Sequence, residues 1–270
     1  MNGASSPKRL VEAAATDGQP ALALTDRHSL AGVVQFIQAC KIKQIKPIVG
    51  AELVVAGYPL VLLCADREGY ANLCDLLTLT HSERLQEGLS LEQLEERFWD
   101  GGTEGLFCLT GDSSGYLACA VHEGQYRQAR EYLMRLAMVF PQRLFIELVH
   151  HRVRGNTATI KALIELSCSQ GIPVVATNAV CYARPEEYAL FDALTCARLG
   201  LTVGDAHQER PINNQAYLRS IQEMLELGFP ATALANTQAI ARLCQVDLLA
   251  ERVTPPVAQV PDGMTPSEYL

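Results

Sequence analysis

The chain has 270 residues, of which 49% are hydrophobic and 19% charged, an ordinary composition for one large or two small globular domains. It carries 22 basic and 30 acidic residues, a formal net charge of −8. Domains dedicated to nucleic-acid binding are usually basic, so we expect any contact with DNA to be indirect. The first ten residues lack an apolar core and no stretch approaches about eighteen apolar residues, so we expect neither a secretory signal nor a membrane span.

The short-motif content of the chain excludes several kinds of site. None of the nine cysteines forms a Cys-x-x-Cys pair, which excludes a zinc knuckle or a thioredoxin-like motif. Their odd number and apolar surroundings indicate reduced thiols in a cytoplasmic protein. The chain also has no Asp-x-Asp pair and no Gly-x-x-x-x-Gly-Lys loop, so its own residues cannot support two-metal polymerisation or a Walker-type phosphate site.

Short apolar runs alternate with amphipathic helical patterns along the first two thirds of the chain. The opening helix is predicted to begin at Pro7, with Ser6 as its N-cap. Buried parallel strands are predicted at Ala21–Thr25, Ile48–Val55, Pro59–Cys64, Gly105–Leu109, Leu144–Val149 and Pro173–Thr177. Further helices are predicted at Val33–Cys40, Tyr70–Leu79, Tyr126–Val139 and Thr157–Cys168. This alternation predicts an α/β fold with a largely parallel sheet, either a barrel or doubly wound.

The last third of the chain changes character. Helices are predicted at Tyr217–Leu227 and Thr232–Leu243, followed by a non-helical tail with a turn at Pro261-Asp262-Gly263. We therefore divide the chain into an α/β barrel over 1–204, a helical part over 205–253 and a linker over 254–270. The pattern from Pro266 predicts a further helix, so we expect the natural chain to continue into another domain.

Polar side chains follow several of the predicted strands. In parallel α/β folds this edge of the sheet gathers functional residues. The residues at these positions are Asp26, Arg27, His28, Glu52, Asp112, Glu147, His150, His151, Asn178 and Cys181, and His81 follows the helix at Tyr70–Leu79. This mixture of Asp, Glu, His and Cys is what a divalent-metal site for phosphate chemistry requires. His150 and His151 are adjacent on an extended segment, so at most one of them faces such a site.

Each candidate also has a simpler structural interpretation. Asp26 directly follows a strand, where an aspartate is often the N-cap of the next helix. His81 has polar neighbours in the sequence, which is typical of a surface histidine. Cys181 is a small residue suited to burial. Glu52 lies in an apolar run, where an unpaired carboxylate is costly, so a functional or ion-paired role is favoured for it.

Several segments resemble, in order, the motifs of the PHP (polymerase and histidinol phosphatase) domain, in particular the one that opens the bacterial DNA polymerase III α subunit and its error-prone paralogue. Ala21–Gly32 resembles the second motif, and Ile45–Glu52 resembles the Pro-x-x-Gly-x-Glu segment. Val174–Tyr182 resembles the Ala-Thr-Asn-Asp-Val-His-Tyr segment, and Arg184-Pro185-Glu186 the start of the helix after it. Pro261–Pro266 resembles the join to the polymerase portion, so the likeness covers nearly the whole chain.

The resemblance implies a distorted (βα)7 barrel similar to a TIM barrel, whose strand ends hold several divalent metals. Here its first strand is missing, and a helical C-terminal extension follows. Active members are phosphoesterases, and some polymerase-linked ones have proofreading nuclease activity. Asp26, Glu52 and His81 match ligand positions, and Glu147 and Cys181 complete the candidate metal set, with His28, His150 and Asn178 as further candidates.

This sequence departs from the family pattern at several ligand positions. The opening His-x-His pair is absent, because no histidine precedes His28. The histidine expected after Asp26 is Arg27, the aspartate of the last motif is Ala179, and its histidine is Cys181. A guanidinium cannot become a ligand, and alanine has no donor atom. We therefore predict a vestigial metal site with no resident cofactor, or zinc or manganese at low occupancy.

The departures lead to two hypotheses about the site. In the first, Arg27 replaces the metal through a bidentate ion pair with the carboxylates of Asp26 and Glu52, and its removal costs a few kcal/mol. In the second, His28 takes over the ligand role one residue later. The missing strand leaves a sheet edge that another segment or dimerisation would cover, unless the barrel stays open.

The favoured function is a structural and interaction module that braces a polymerase body and docks replisome subunits. We expect this module to have no enzymatic activity alone and not to bind a membrane. The alternative is a free-standing metal-dependent phosphoesterase or 3′–5′ exonuclease. A third interpretation is a relative in fold only, which binds a small phosphate ligand at the strand ends.

Overall fold

The computed structural model describes residues 3–82 and 88–249. The helices are α1 (Pro7–Thr16), α2 (Val33–Lys43), α3 (Arg67–Ser82), α4 (Leu91–Trp99), α5 (Tyr116–His122), α6 (Tyr126–Val139), α7 (Asn156–Gln170), α8 (Tyr188–Leu199), α9 (Ile221–Glu226) and α10 (Ala231–Leu243). The strands are β1 (Ala21–Arg27), β2 (Lys46–Val55), β3 (Tyr58–Cys64), β4 (Leu106–Leu109), β5 (Leu144–Val149) and β6 (Val174–Thr177). The expected linker over 254–270 lies outside the described residues. No described helix has the length and apolar character needed to cross a membrane, and all nine cysteines lie in the described ranges as free thiols.

The six strands form one curled sheet in the order of the sequence. The pairs β1–β2, β4–β5 and β5–β6 are parallel, whereas β3 is antiparallel to both of its neighbours. Ala56 and Gly57 join β2 to β3 with φ values of 52° and 83°, and positive φ at both positions is typical of a tight hairpin. The prediction that Pro59–Cys64 is a parallel strand is therefore wrong, because a two-residue link cannot cross over a sheet.

Side-chain alternation gives the sheet two faces with different coverings. On one face, Leu24 and Val49 pack against Val11 of α1 and Phe36 of α2 in the main core. On the other face, which we call the inner face, strand residues pack against Ile240 of α10 and the following Cys244. These strand residues are Ile48, Leu63, Phe107, Leu109 and Val175. The inner face also carries the strand-end side chains described below.

The helix boundaries follow local capping chemistry. Ser6 caps α1 by accepting a hydrogen bond from the Arg9 amide, and Pro7 is the first helical residue, as predicted. Helix α4 was not predicted from the sequence; it begins with a capping box between Ser90 and Gln93. Helix α5 was not predicted either, because its seven residues are too few and too buried to show a clear periodicity.

The C-terminal part of the described chain is less helical than predicted. Tyr217 forms an extended bridge with Tyr182, and the capping box between Ser220 and Glu223 starts α9 only at Ile221. The predicted helix at Tyr217–Leu227 therefore shortens to Ile221–Glu226. The predicted Thr232–Leu243 helix is confirmed as α10.

Helix α10 covers part of the free edge of β6. The side chains of Asn236 and Thr237 donate hydrogen bonds to the main-chain carbonyls of Val174 and Ala176, at 2.8 and 2.9 Å. At β6, then, another segment of the chain covers part of the sheet edge.

Candidate functional site

The inner face of the sheet brings Arg27, Glu52, Glu147 and Thr177 to the carboxyl ends of their strands. Arg27 is level with Glu52 in the β1–β2 register, and Glu147 and Thr177 lie on the adjacent strands β5 and β6. Their side chains line one cavity of about 1020 Å³. We call this end of the cavity the mouth.

Arg27 lies beside Glu52 at the mouth. Its Nε lies 3.4 Å from Glu52 Oε1, with the two side chains 46% and 30% exposed. The contact is single and not bidentate, and solvent screens it, so we expect about 1 kcal/mol or less from it. The expected loss of a few kcal/mol on removing Arg27 is therefore too large. Burial raises the Glu52 pKa, and the Arg27 charge opposes that rise without cancelling it.

Glu147 is the most buried carboxylate at the mouth, at 5% exposure. Its Oε1 accepts a hydrogen bond of 2.5 Å from the Thr177 hydroxyl, and its buried Oε2 has no hydrogen-bond partner among the described residues. Burial raises the Glu147 pKa to about 7, with smaller contributions from the charges of Asp112 and Glu52. Glu147 is therefore a carboxyl group that is partly protonated near neutral pH.

Asp112 is the third carboxylate at the mouth, and the candidate metal set drawn from the sequence omits it. Gly111, with φ of 87°, turns the chain directly after β4, and Asp112 Oδ1 accepts hydrogen bonds from the amide and hydroxyl of Ser114. Its charge is felt by both Glu52 and Glu147. An aspartate in a glycine turn directly after a buried strand was the sequence signal that could have identified it.

Asp26 lies on the opposite face of the sheet from Glu52. A Cβ atom built on Gly32 would lie 3.2 Å from Asp26 Oδ2 and 3.3 Å from Leu24 Cδ2, which places the carboxylate beside the loop before α2. Leu24 belongs to the core between sheet and helices, and residues two apart on a strand share a face. Asp26 therefore borders the same cavity as the carboxylates of the mouth, but its own carboxylate lies on the other face of β1.

His28 and His81 form a separate pair outside the mouth. His81 Nε2 lies 2.7 Å from the His28 carbonyl oxygen, and both residues line a second cleft, of about 540 Å³. His28 has φ of 52°, and burial lowers the pKa of its ring. Neither histidine is among the residues that line the mouth cavity, so the structure does not place His28 in the ligand role proposed for it.

The adjacent histidines after β5 have different partners. His150 Nε2 lies 3.3 Å from Thr157 Oγ1, at the surface, whereas His151 Nε2 lies 2.7 Å from the Asn178 carbonyl oxygen. Only His151 turns toward the segment after β6, as their alternation predicts. Burial lowers the His151 pKa, which favours a neutral ring.

Arg219 is one of several residues that hold the segment after β6. The buried Arg219 donates from Nε to Asn178 Oδ1 at 3.0 Å, while Asn178 Nδ2 donates to the carbonyl of Tyr217 at 2.7 Å. Asn178 is thus a structural anchor in this structure. Ala179 has φ of 43°, a left-handed conformation that is unfavourable for alanine. Burial raises the Cys181 pKa to about 12, so its thiol keeps its proton at neutral pH.

The donors at the mouth do not fit the metal cluster that the family resemblance implies. In residues 3–82 and 88–249, no three His, Cys, Asp or Glu side chains are arranged to hold a metal ion. The three carboxylates share the mouth with the guanidinium of Arg27, which supplies positive charge but no ligand atom. Burial keeps the Cys181 thiol protonated in the absence of metal, so a metal ion bound there would have to displace that proton.

Comparison with known proteins places the chain in a family. The family model of the PHP domain matches residues 1–151. The whole chain is 35% identical to an error-prone DNA polymerase of Symbiobacterium thermophilum and 31% identical to a DNA polymerase III subunit alpha of Treponema pallidum, of which it covers 26% and 24%. The chain thus spans about a quarter of the length of the curated relatives it matches.

Among solved structures, an amidohydrolase from Chromobacterium violaceum is 14% identical, with a TM-score of 0.48 over 66% of this chain and 82% of that one, a likeness too distant to support an argument. The family model, by contrast, matches more than half of the sequence. The chain belongs to the PHP domain family.

Proposed function

We propose that the chain is the PHP part of a protein of the DNA polymerase III α type, and that it acts as a structural and docking module and not as a hydrolase. Its whole-length similarity to a quarter of much longer polymerases supports this proposal. The polymerase body and replisome subunits are its proposed partners, and DNA synthesis belongs to that body. The curled sheet is then part of a (βα)7 barrel, with the barrel over 1–204 and the helical part over 205–253.

The position of Arg27 is the observation that carries the proposal. On the inner face it takes the place where the resemblance expects a histidine, and it lies beside Glu52. A guanidinium stays protonated at all accessible pH values, so it repels a divalent cation and supplies no lone pair. At the mouth, the positive charge of Arg27 therefore offsets part of the negative charge of the carboxylates, where active relatives would use metal ions.

A metal-dependent phosphoesterase is the second candidate, because Glu52, Asp112 and Glu147 act on one another at the same mouth. Three carboxylates are enough for one oxygen-ligated ion such as Mn²⁺ if the side chains converge. In that case Arg27 would contact the phosphate of the substrate.

Phosphodiester turnover in Mn²⁺ separates the two candidates. We expect no turnover of a chromogenic phosphodiester by the wild-type chain, and tighter Mn²⁺ binding by Arg27→His, which supplies an imidazole ligand. Arg27→Gln is the matched control, because it removes the charge without adding a strong ligand. Wild-type turnover that is abolished by Asp112→Asn would establish the phosphoesterase and reject the module.

A further inference from the structure

Three large apolar side chains are exposed on the neighbouring helices α4 and α6. Trp99, at the end of α4, is 82% exposed, and Met138 and Met134 of α6 are 59% and 44% exposed. Single exposed apolar residues are common on proteins, but a cluster of them usually marks a contact surface. The two helices flank β4 in the sequence, a strand paired on both sides, so this exposure does not depend on an open sheet edge.

Hydrogen bonds fix how the two helices lie against each other. Arg135 of α6 donates to Glu92 at 2.8 Å and to Glu95 at 2.6 Å. Further along the chain, the Thr103 hydroxyl donates to the Val139 carbonyl at 3.0 Å. Both helices therefore advance in the same direction along this contact.

The exposed apolar residues continue the same line of contact. Trp99 lies four residues after Glu95, and Met138 lies three residues after Arg135. Residues at these spacings share a side of a helix, so Trp99 and Met138 lie on the sides along which α4 and α6 meet. Met134, four residues before Met138, is next to it on α6. We call the surface formed by Trp99, Met134 and Met138 the α4–α6 face.

The border of the α4–α6 face is acidic. Glu96 and Asp100 are exposed on α4 and at its end, and neither forms an ion pair within residues 3–82 and 88–249. Glu92 and Glu95 share the single guanidinium of Arg135. Four carboxylates thus face one cation at this contact, which leaves the border of the face negative.

We propose that the α4–α6 face binds a basic amphipathic helix of a partner protein. Two helices that lie side by side offer a groove for the apolar stripe of a third. Methionine adapts to apolar surfaces of different shape, and an exposed tryptophan provides a large anchor. Lys or Arg beside the stripe would pair with Glu96 and Asp100. This inference rests on the proposed docking role and gives the chemistry of one partner.

Tryptophan fluorescence tests the proposal, because Trp99 is the one tryptophan of the chain. The probe is acetyl-Ala-Lys-Leu-Ala-Lys-Leu-Leu-Lys-Lys-Leu-Leu-Lys-Lys-Ala-amide, which lacks tryptophan, matches α6 with its 14 residues and carries its leucines at helical spacing. Added to the full chain, it should shift the emission to shorter wavelength and protect Trp99 from acrylamide. A scrambled peptide without the apolar stripe, and a peptide with Glu in place of Lys, should bind at least about tenfold more weakly.

Two double variants separate the charge of this face from the charge of the whole chain. Glu96→Gln with Asp100→Asn removes the unpaired border carboxylates and should weaken binding by about tenfold. Glu165→Gln with Glu226→Gln removes the same charge at exposed positions of α7 and α9. This control should change the affinity by less than about twofold, because salt screens distant charges.

A second pair of variants tests the apolar part of the face. Met138→Ser should weaken peptide binding by about tenfold, because it removes one apolar contact of the complex. Ile212→Ser, at a site that is 76% exposed outside the face, is the matched control and should not change the affinity. All these positions are exposed, so the variants should keep the melting temperature of the wild type.

Three results would overturn the proposal: an unchanged Trp99 emission, equal affinity of the scrambled peptide, and equal weakening by the two charge variants. A chain that sediments as a dimer, and as a monomer after Trp99→Ser, would show that a second copy covers the face and would reject the partner helix. The phosphodiester assay reports on the mouth separately. Failed peptide binding without turnover therefore rejects only this face, whereas turnover rejects the docking module itself.

Discussion

The raised pKa of Glu147 predicts a pH-dependent stability that Glu147→Gln should remove. In the unfolded chain this carboxyl has its usual pKa of 4.5, and burial in the folded chain raises it to about 7. The folded state therefore holds the proton more tightly than the unfolded state. The resulting stabilisation is complete below pH 4.5 and is lost as the pH rises through 7.

The size of the effect follows from the two pKa values. Each tenfold difference in proton affinity is worth about 1.4 kcal/mol, so the full contribution is about 3 kcal/mol. Between pH 5 and pH 8 the wild-type chain should lose about 2 to 3 kcal/mol of it. Glutamine does not titrate and keeps an oxygen for the hydrogen bond from Thr177.

Urea unfolding of both proteins at pH 5 and pH 8, with chelator present, measures the effect. On going from pH 5 to pH 8, the unfolding free energy of the wild type should fall by about 2 to 3 kcal/mol more than that of Glu147→Gln. Glu165→Gln makes the same chemical change at an exposed position of α7 and is the matched control. An equal difference at the two pH values for Glu147→Gln would refute the raised pKa of the buried Glu147 carboxyl.

Three further variants test other parts of the structure. Ala179→Gly should stabilise the chain by about 0.5–1 kcal/mol, because glycine has no penalty at the φ of 43°, and an unchanged or lower melting temperature would contradict this. Arg219→Ala should lower the free energy of unfolding by about 2–4 kcal/mol, because Asn178 loses a buried charged hydrogen-bond donor. Arg219→Lys keeps the positive charge but not the branched guanidinium, and should recover part of this loss when both variants are unfolded in urea. Arg27→Ala should cost about 1 kcal/mol or less, since its contact with Glu52 is single and partly exposed, and a loss above about 3 kcal/mol would show a tighter pair than the structure contains.

Local sequence signals predicted most of the elements because they act within a few residues. The helix at Tyr126–Val139 and the strand at Leu144–Val149 match the structure to the residue. Ser6 and Pro7 mark the first turn of α1, where a capping oxygen and a fixed φ are needed. The direction of β3 depended on its link to β2, and the two-residue hairpin at Ala56-Gly57 was the signal for it.

The candidate site was less predictable because it depends on faces and on contacts distant in sequence. Neighbouring side chains on a strand point to opposite faces of the sheet, which separates His150 from His151 and also Asp26 from Arg27. The apolar Leu24 indicates which of the two faces packs against the helices. The grouping of Glu52 with Glu147 depends on three intervening strand pairings, which no local pattern specifies. The packing of α10 on the inner face is likewise set by tertiary contacts.

The central proposal is that the guanidinium of Arg27, which supplies charge but no ligand atom, leaves this PHP mouth unable to hold its metals. Metal analysis of the chain after dialysis against Mn²⁺ and Zn²⁺, then against metal-free buffer, tests it most directly. We expect substoichiometric metal that Glu147→Gln does not change. One or more tightly held ions per chain, lost in that variant, would contradict the proposal.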